Sequence, residues 1–203
     1  MNRLHGPSGN TRRNPRDHLL ASLERYRRQW PECGETADRI LEFTVAGEDV
    51  FSRACPGGHI TGSVFITSRD YSRVLLVHHK KLGLWVQPGG HCDPEETVYE
   101  TALRESAEET GITAESVMGD AVFDAAVLPV PAWRDVPFHW HYDIRYLLAA
   151  DTDAVRISAE SHGAEWVTLD EAVIKNPEPA MFGAMEKIRR LQRGEQPAGL
   201  QLL

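Results

Sequence analysis

Glu105, Glu108 and Glu109 stand at i, i+3 and i+4 within the stretch GHCDPEETVYETALRESAEETGI, residues 90–112. At about 100° per residue an α-helix lines all three carboxylates along one stripe. Like charges this close destabilise a helix unless a cation sits among them. An all-oxygen donor set suits a hard divalent ion, Mg²⁺ or Mn²⁺, of the kind that keeps waters and bridges to substrate phosphates. Just upstream, LWVQP runs into Gly89 and Gly90. A strand entering a glycine loop ahead of a helix is a setting for binding phosphate.

The elements that must position these residues follow from the hydrophobic pattern. The carboxylate helix is expected from about Glu96 to Thr110, ending at Gly111, a residue type favoured just past helix ends. Strands are expected at TGSVFITS, RVLLVHH and LWVQP before it, and at AVFDAAVLPV, HWHYDIRYLLAA and AEWVTL after it. A loop holding Pro131, Trp133 and Pro137 joins two of them, and a short helix follows at Asp170 to Ile174. The last helix, opened by Pro179, carries Met181, Phe182, Met185, Ile188 and Leu191 as a core stripe. Upstream, Asn14 and Pro15 cap a helix with Leu19, Leu20, Leu23, Tyr26 and Trp30 at helical spacing; Pro31 and Gly34 break it, and a second helix spans Thr36 to Val45. Strands and helices mixed in this order give an α/β sandwich. The expected organisation is a disordered basic tail at 1–13, a helical N-terminal extension at 14–56 and one domain at 57–197.

A chain of 203 residues, 41% hydrophobic, can bury a real core. It holds no apolar run fit to cross a bilayer and no secretory signal pattern, so no membrane partner is expected and the cytoplasm is the default. Cys33, Cys55 and Cys92 are odd in number and widely spaced, which fits reduced thiols. Pairing Cys55 with His59 and His91 with Cys92 as a zinc set fails for want of close ligand spacing. The net charge of −8 divides unevenly: seven arginines against Asp17 and Glu24 make the first 30 residues +5, leaving −13 for the rest. An acidic body is a poor general nucleic-acid surface, and the basic arm reads as a solvated tail.

The carboxylate stretch resembles the Nudix box, G-x5-E-x7-R-E-U-x-E-E-x-G-U with U a bulky aliphatic residue. Gly90, Glu96, Arg104, Glu105, Glu108, Glu109, Gly111 and Ile112 fill its positions without a gap. QPGGH before the box and AEWVTL after it also look like the family, so the resemblance covers residues 60 to 193 or so. Ser106 departs from the pattern, standing where an aliphatic residue is expected, and should bond back to the carbonyl four residues earlier at a small packing cost.

This resemblance to the Nudix superfamily, MutT-like and without an assigned subfamily, implies the Nudix fold: an α/β/α sandwich around a mixed β-sheet. It also implies metal-dependent hydrolysis of a nucleoside diphosphate joined to another group, by in-line attack of water on phosphorus. Glu105, Glu108 and Glu109 would hold the metal with the Gly89 carbonyl. Arg104 would orient them, with Glu96 as its partner by resemblance and Glu100 as the alternative at i−4. The general base is a box glutamate or one downstream. Glu160 is preferred over Glu165, because its place six residues before Trp166 resembles that of the downstream metal-binding glutamate in the 8-oxo-dGTP-cleaving branch.

Other readings follow from the same residues. His78, His79, His91, His139 and His141, with Lys80 and Lys81, crowd the strands near the site, and each reads first as an ordinary strand or loop position. Trp133, in its proline-bounded loop, is the best candidate for stacking on a nucleobase. Two alternatives are a non-catalytic nucleotide-sensing Nudix domain and an isoprenoid diphosphate isomerase on the same fold. Sensing domains commonly lose box glutamates, none of which is missing here, and the isomerase branch resembles this chain less. Markers for ADP-ribose, coenzyme A and reduced dinucleotides are absent. The expected partner is a small nucleotide diphosphate, and a homodimer is left open.

Overall fold

The computed structural model describes residues 14–114 and 116–199. The tail expected to be disordered, 1–13, lies outside them. Seven strands form one sheet, β1(Gly58–Ser68), β2(Arg73–His79), β3(Leu84–Val86), β4(Gly89–His91), β5(Asp124–Val130), β6(His139–Ala150) and β7(Ser161–Thr168). Its main order is β3-β2-β1-β6-β5, with β4 also pairing β1 and β7 pairing β2. The sheet is mixed: β1 runs parallel to β6 along its whole length, and the other pairings are antiparallel. Five helices accompany it, α1(Pro15–Gln29), α2(Gly34–Ala46), α3(Val98–Thr110), α4(Leu169–Lys175) and α5(Pro179–Gln192).

The N-terminal extension is helical as expected, with the Asn14 side chain accepting from Arg16 N at 2.9 Å and Pro15 opening the first turn. Gly34 does not break the chain there. A 3₁₀ turn at Pro31–Cys33 reverses it, and Gly34, in right-handed helical geometry, starts α2. The extension is part of the core. Leu19, Leu23, Tyr26 and Trp30 are buried, Trp30 meets Phe123 edge-on, and Phe43 of α2 stacks on Tyr142 of β6 with ring centroids 3.8 Å apart.

Beneath these helices runs a buried ionic network. Lys187 of α5 donates to Asp124 at 2.7 Å and to the Tyr26 hydroxyl at 2.9 Å. Arg145 donates to Asp124 at 3.1 Å and to Asp143 at 2.8 Å. Asp143 also accepts from Thr61, Ser63 and Gln87, so each buried charge has partners.

Two expectations about packing are corrected. Phe182 is 56% exposed, while Met181, Met185, Ile188 and Leu191 are buried. One step past Met181 turns about 100° around the helix, which carries Phe182 off the stripe. Ser106 is buried, but its hydroxyl donates forward to the Ile112 carbonyl at 2.9 Å instead of back along the helix. Gly111, at φ 74°, turns the chain in left-handed geometry and brings that carbonyl round; Thr110 makes the backward bond, to Ser106 O at 2.6 Å. The serine therefore fastens the helix end. Ser106→Ala should cost about 1–2 kcal/mol by leaving a buried acceptor unpaired, read as a lower denaturant midpoint.

Candidate active site

α3 carries the carboxylates and begins later than expected. Thr97 caps it in a reciprocal box with Glu100: the Thr97 hydroxyl accepts from Glu100 N at 3.2 Å, and the Glu100 carboxylate accepts from Thr97 N at 2.8 Å. Capping thereby occupies Glu100, the alternative partner for Arg104. Instead Arg104 Nε lies 3.1 Å from Glu96 Oε1, and its other nitrogens reach Glu105 at 2.9 Å, Glu108 at 3.2 Å and the His91 carbonyl at 3.0 Å. One guanidinium thus joins the loop before α3, two carboxylates on α3 and β4.

The expected glycine loop is a strand. Gly89–His91 pairs with β1 in antiparallel register, Ser63 opposite Gly89 and Gly62 opposite Gly90. Glycine is required for close approach here. A Cβ on Gly62 would meet Val98 and Thr101 of α3, and one on Gly90 would run into the Glu105 carboxylate. α3 can therefore lie against β1 and β4, where Gly89 N–H donates to Glu109 Oε2 at 3.1 Å.

Electrostatics set the carboxylates apart. Burial pushes the Glu109 carboxyl up to about 7; the Gly89 N–H acts against this, and the charges of Glu105, Glu160 and Glu108 add to it. Glu105 is raised too, first by burial, with Arg104 opposing and Glu108 and Glu160 contributing. Glu96 goes the other way: burial acts to raise it, but hydrogen bonds from Arg104 and Thr101 hold it below the usual carboxylate range. Glu108 is exposed. Glu160, on the exposed turn before β7, lies close enough for its charge to act on both Glu105 and Glu109. Glu165 is held by Lys175 Nζ at 2.8 Å. The geometry gathers four acidic side chains and a glycine strand, with only oxygen donors among the carboxylates. Such a donor set fits a hard divalent cation. So does the crowding of like charges around the buried Glu109, which a cation would relieve.

A model of the NUDIX domain matches residues 58–190. The chain belongs to the Nudix family. It is 37% identical over 93 residues to an RNA pyrophosphohydrolase of Erythrobacter litoralis, an alignment covering 44% of this chain and 49% of that protein. It is 33% identical over 123 residues to the asymmetrical bis(5'-nucleosyl)-tetraphosphatase of Sus scrofa, covering 59% of this chain and 72% of that one. The chain thus spans about half the length of the first of these relatives. Among solved structures, a MutT protein from Methanosarcina mazei Go1 superposes with a TM-score of 0.51 at 25% identity, over 66% of this chain and 93% of its own. The helical extension formed by α1 and α2 lies outside the residues matched by the domain model.

Within the Nudix domain the remaining candidates scatter. Trp133 is 70% exposed on its loop, with Arg134 over its ring. His78 stacks on Trp85, and His79 Nδ1 accepts from Leu82 N at 3.3 Å. His91, His139 and His141 gather instead around His59, whose near neighbour in the sequence is Cys55. A histidine pair at i and i+2 on a strand, His139 and His141, was the signal for that grouping. No helix among the described residues is long and apolar enough to cross a membrane.

The raised Glu109 pKa predicts how metal-free stability depends on pH. The folded chain keeps a proton to about 7 that the unfolded chain releases near 4.5, so this group's contribution falls as pH rises between those values and is flat above. Burial lowers His59 to about 4 and His91 to about 3, which acts in the opposite sense. The effect is therefore read as a difference: in chelator, the stability advantage of Glu109→Gln over the parent should grow from pH 4.5 to 7. Mg²⁺ should remove it.

Proposed function

We propose that this chain is a Mg²⁺-dependent hydrolase, with Mn²⁺ as a substitute, that cleaves the phosphoric anhydride of a nucleoside diphosphate joined to another group. The observation that carries the reading is the convergence of Glu105, Glu109 and the Glu160 charge beside Gly89, with Arg104 bonded to Glu96, Glu105 and Glu108. The names of the relatives, an RNA pyrophosphohydrolase and a tetraphosphatase of dinucleosides, support the same bond type.

In this mechanism Glu105, Glu108, Glu109 and the Gly89 carbonyl would hold the cation, and Glu160 would serve as a further ligand or as the base. When bound, a divalent ion acidifies the attacking water and offsets negative charge on the phosphates. Arg104 positions Glu105 and Glu108 and ties them to the His91 carbonyl, so that the carboxylates meet the substrate already arranged. Water forms the new P–O bond as the anhydride P–O bond breaks in line, the phosphate side departs with the electron pair, and a glutamate takes the proton. The charge of Glu160 acts on Glu105 and Glu109, whereas Glu165 is paired with Lys175, and this favours Glu160 for that part.

The test is a panel of nucleotide anhydrides in ¹⁸O-water with Mg²⁺ or Mn²⁺: oxidised and ordinary nucleoside triphosphates, nucleotide sugars, dinucleoside polyphosphates and 5'-triphosphate RNA. The expected result is a metal-dependent phosphate or nucleoside monophosphate product carrying one labelled oxygen. Tight binding across the panel without turnover under either metal would overturn catalysis in favour of a sensing domain.

A further inference from the structure

A second cluster of titratable side chains lies on the sheet face away from α3. Gly62 and Gly90 face α3, so their neighbours at odd positions on β1 and β4 face the other side. The register sets His59 of β1 opposite His141 of β6, with His139 two residues earlier on the same face, and Thr61 opposite His91 of β4. Four imidazoles from three adjacent strands therefore converge. The His59 ring centroid lies 4.7 Å from His141, 4.8 Å from His91 and 5.1 Å from His139. One ligating nitrogen from each of His59, His139 and His141 falls within 4.8 Å of the others.

Two independent features give this cluster a direction. His59 is 2% exposed, and among the described residues neither of its ring nitrogens has a hydrogen-bond partner. Buried polar atoms are seldom left without a hydrogen-bond partner, and an ion or a water that bonds them accounts for many exceptions. His139 Nδ1 lies 2.9 Å from the Pro137 carbonyl, which can only accept, so Nδ1 is the donor, and in the neutral ring Nε2 presents a lone pair. A metal-bound imidazole is held in the same way, its far N–H donated to a backbone carbonyl. The His139 lone pair faces His141 Nε2 at 3.3 Å. Two nitrogens about 2.0–2.1 Å from one tetrahedral ion stand roughly that far apart. Burial holds His59 and His141 below the usual histidine range, which leaves neutral, ligand-ready rings at pH 7. The exposed Arg53 lies close enough for its charge to act on His59 and His141, and Asp143 offsets it at His141.

We propose that His59, His139 and His141, with His91 beside them, form a site for a divalent transition-metal ion of the Zn²⁺ class, separate from the carboxylate site on α3. Imidazole donors favour such ions strongly over Mg²⁺, whereas the all-oxygen set of α3 suits Mg²⁺ when that ion is in excess. The two sites share a support: Arg104, which binds the box carboxylates, also donates to the His91 carbonyl.

Tag-free full-length protein, stripped with chelator and held in excess Mg²⁺ to fill the carboxylate site, provides the test. Zn²⁺ is titrated against a chromophoric chelator, and Co²⁺ is followed by its visible absorption. The expected result is about one tight Zn²⁺ per chain, with Co²⁺ bands of a four-coordinate nitrogen site, in both the parent and Glu109→Gln. His139→Ala and His141→Ala should each weaken Zn²⁺ binding by about tenfold or more with an unchanged far-ultraviolet circular dichroism spectrum. His59→Gln, which keeps a buried polar side chain, should do the same and guards against misfolding as the cause. Zn²⁺ binding that ignores all three histidine changes, that disappears with Glu109→Gln, or that is absent from the parent overturns the site.

Discussion

Glu109→Gln should lower turnover of a nucleotide anhydride by about 10²–10³-fold in saturating Mg²⁺ while making the metal-free protein more stable. The opposed signs come from one cause. Glu109 is buried, its proton held first by that burial and then by the charges of Glu105, Glu160 and Glu108, and the Gly89 N–H acts against them. Glutamine keeps the shape and the bond to Gly89 but removes one negative charge, so folding gains what cation binding loses. Glu108→Gln, on the exposed edge of the same helix, should cut activity with little change in stability. Steady-state kinetics together with melting curves in chelator and in Mg²⁺ check both effects. Activity retained in both variants would place the chemistry outside this helix.

Asp124→Ala should be the most destabilising single change, at about 3–5 kcal/mol, because it strips two buried cations of a shared partner. Lys187 keeps only the Tyr26 hydroxyl and the Phe123 carbonyl, and Arg145 keeps Asp143. The same network joins α1, α5 and the sheet, so the loss should lower the stability of the N-terminal extension and the Nudix domain together, as one transition. For contrast, Asp170→Ala breaks a surface pair with Arg189 in which Asp170 is 86% exposed; it should cost less than about 1 kcal/mol. Urea unfolding monitored by tryptophan fluorescence distinguishes the two. An Asp124→Ala protein within 1 kcal/mol or so of the parent would mean that the network adds no net stability.

The readings that came through intact depend on neighbours in the chain. Helix periodicity placed Glu105, Glu108 and Glu109 on one stripe, Asn14 and Pro15 marked the start of α1, and Arg73–His79 was legible as a strand. Errors arose where a distant partner competed. Thr97 and Glu100 closed a cap, which shortened the helix start and took Glu100 from Arg104. Gly89 and Gly90 looked like a loop because glycine disfavours strands, yet pairing with β1 outweighed that preference and the missing side chains made room for α3. Ser106, read as a packing defect, found an acceptor beyond the helix end.

Taken alone, the sequence determined the family, the run of carboxylates on one helix and the alternation of strands and helices around it. These are properties of residues within a few turns or strands of one another, and they follow from the 3.6 and 2.0 periods of the backbone. Tertiary structure alone decided which residues separated by about 80 to 160 positions in the chain meet. The parallel pairing of β1 with β6 sets His59 against His141, and the buried Lys187 closes α5 onto Tyr26 of α1. Register and docking angle arise from the packing of whole elements. No local spacing in the chain encodes them, so the carboxylate stripe and the i, i+2 pair of His139 and His141 are legible in the sequence, whereas their meeting with His59 and His91 depends on the assembled sheet.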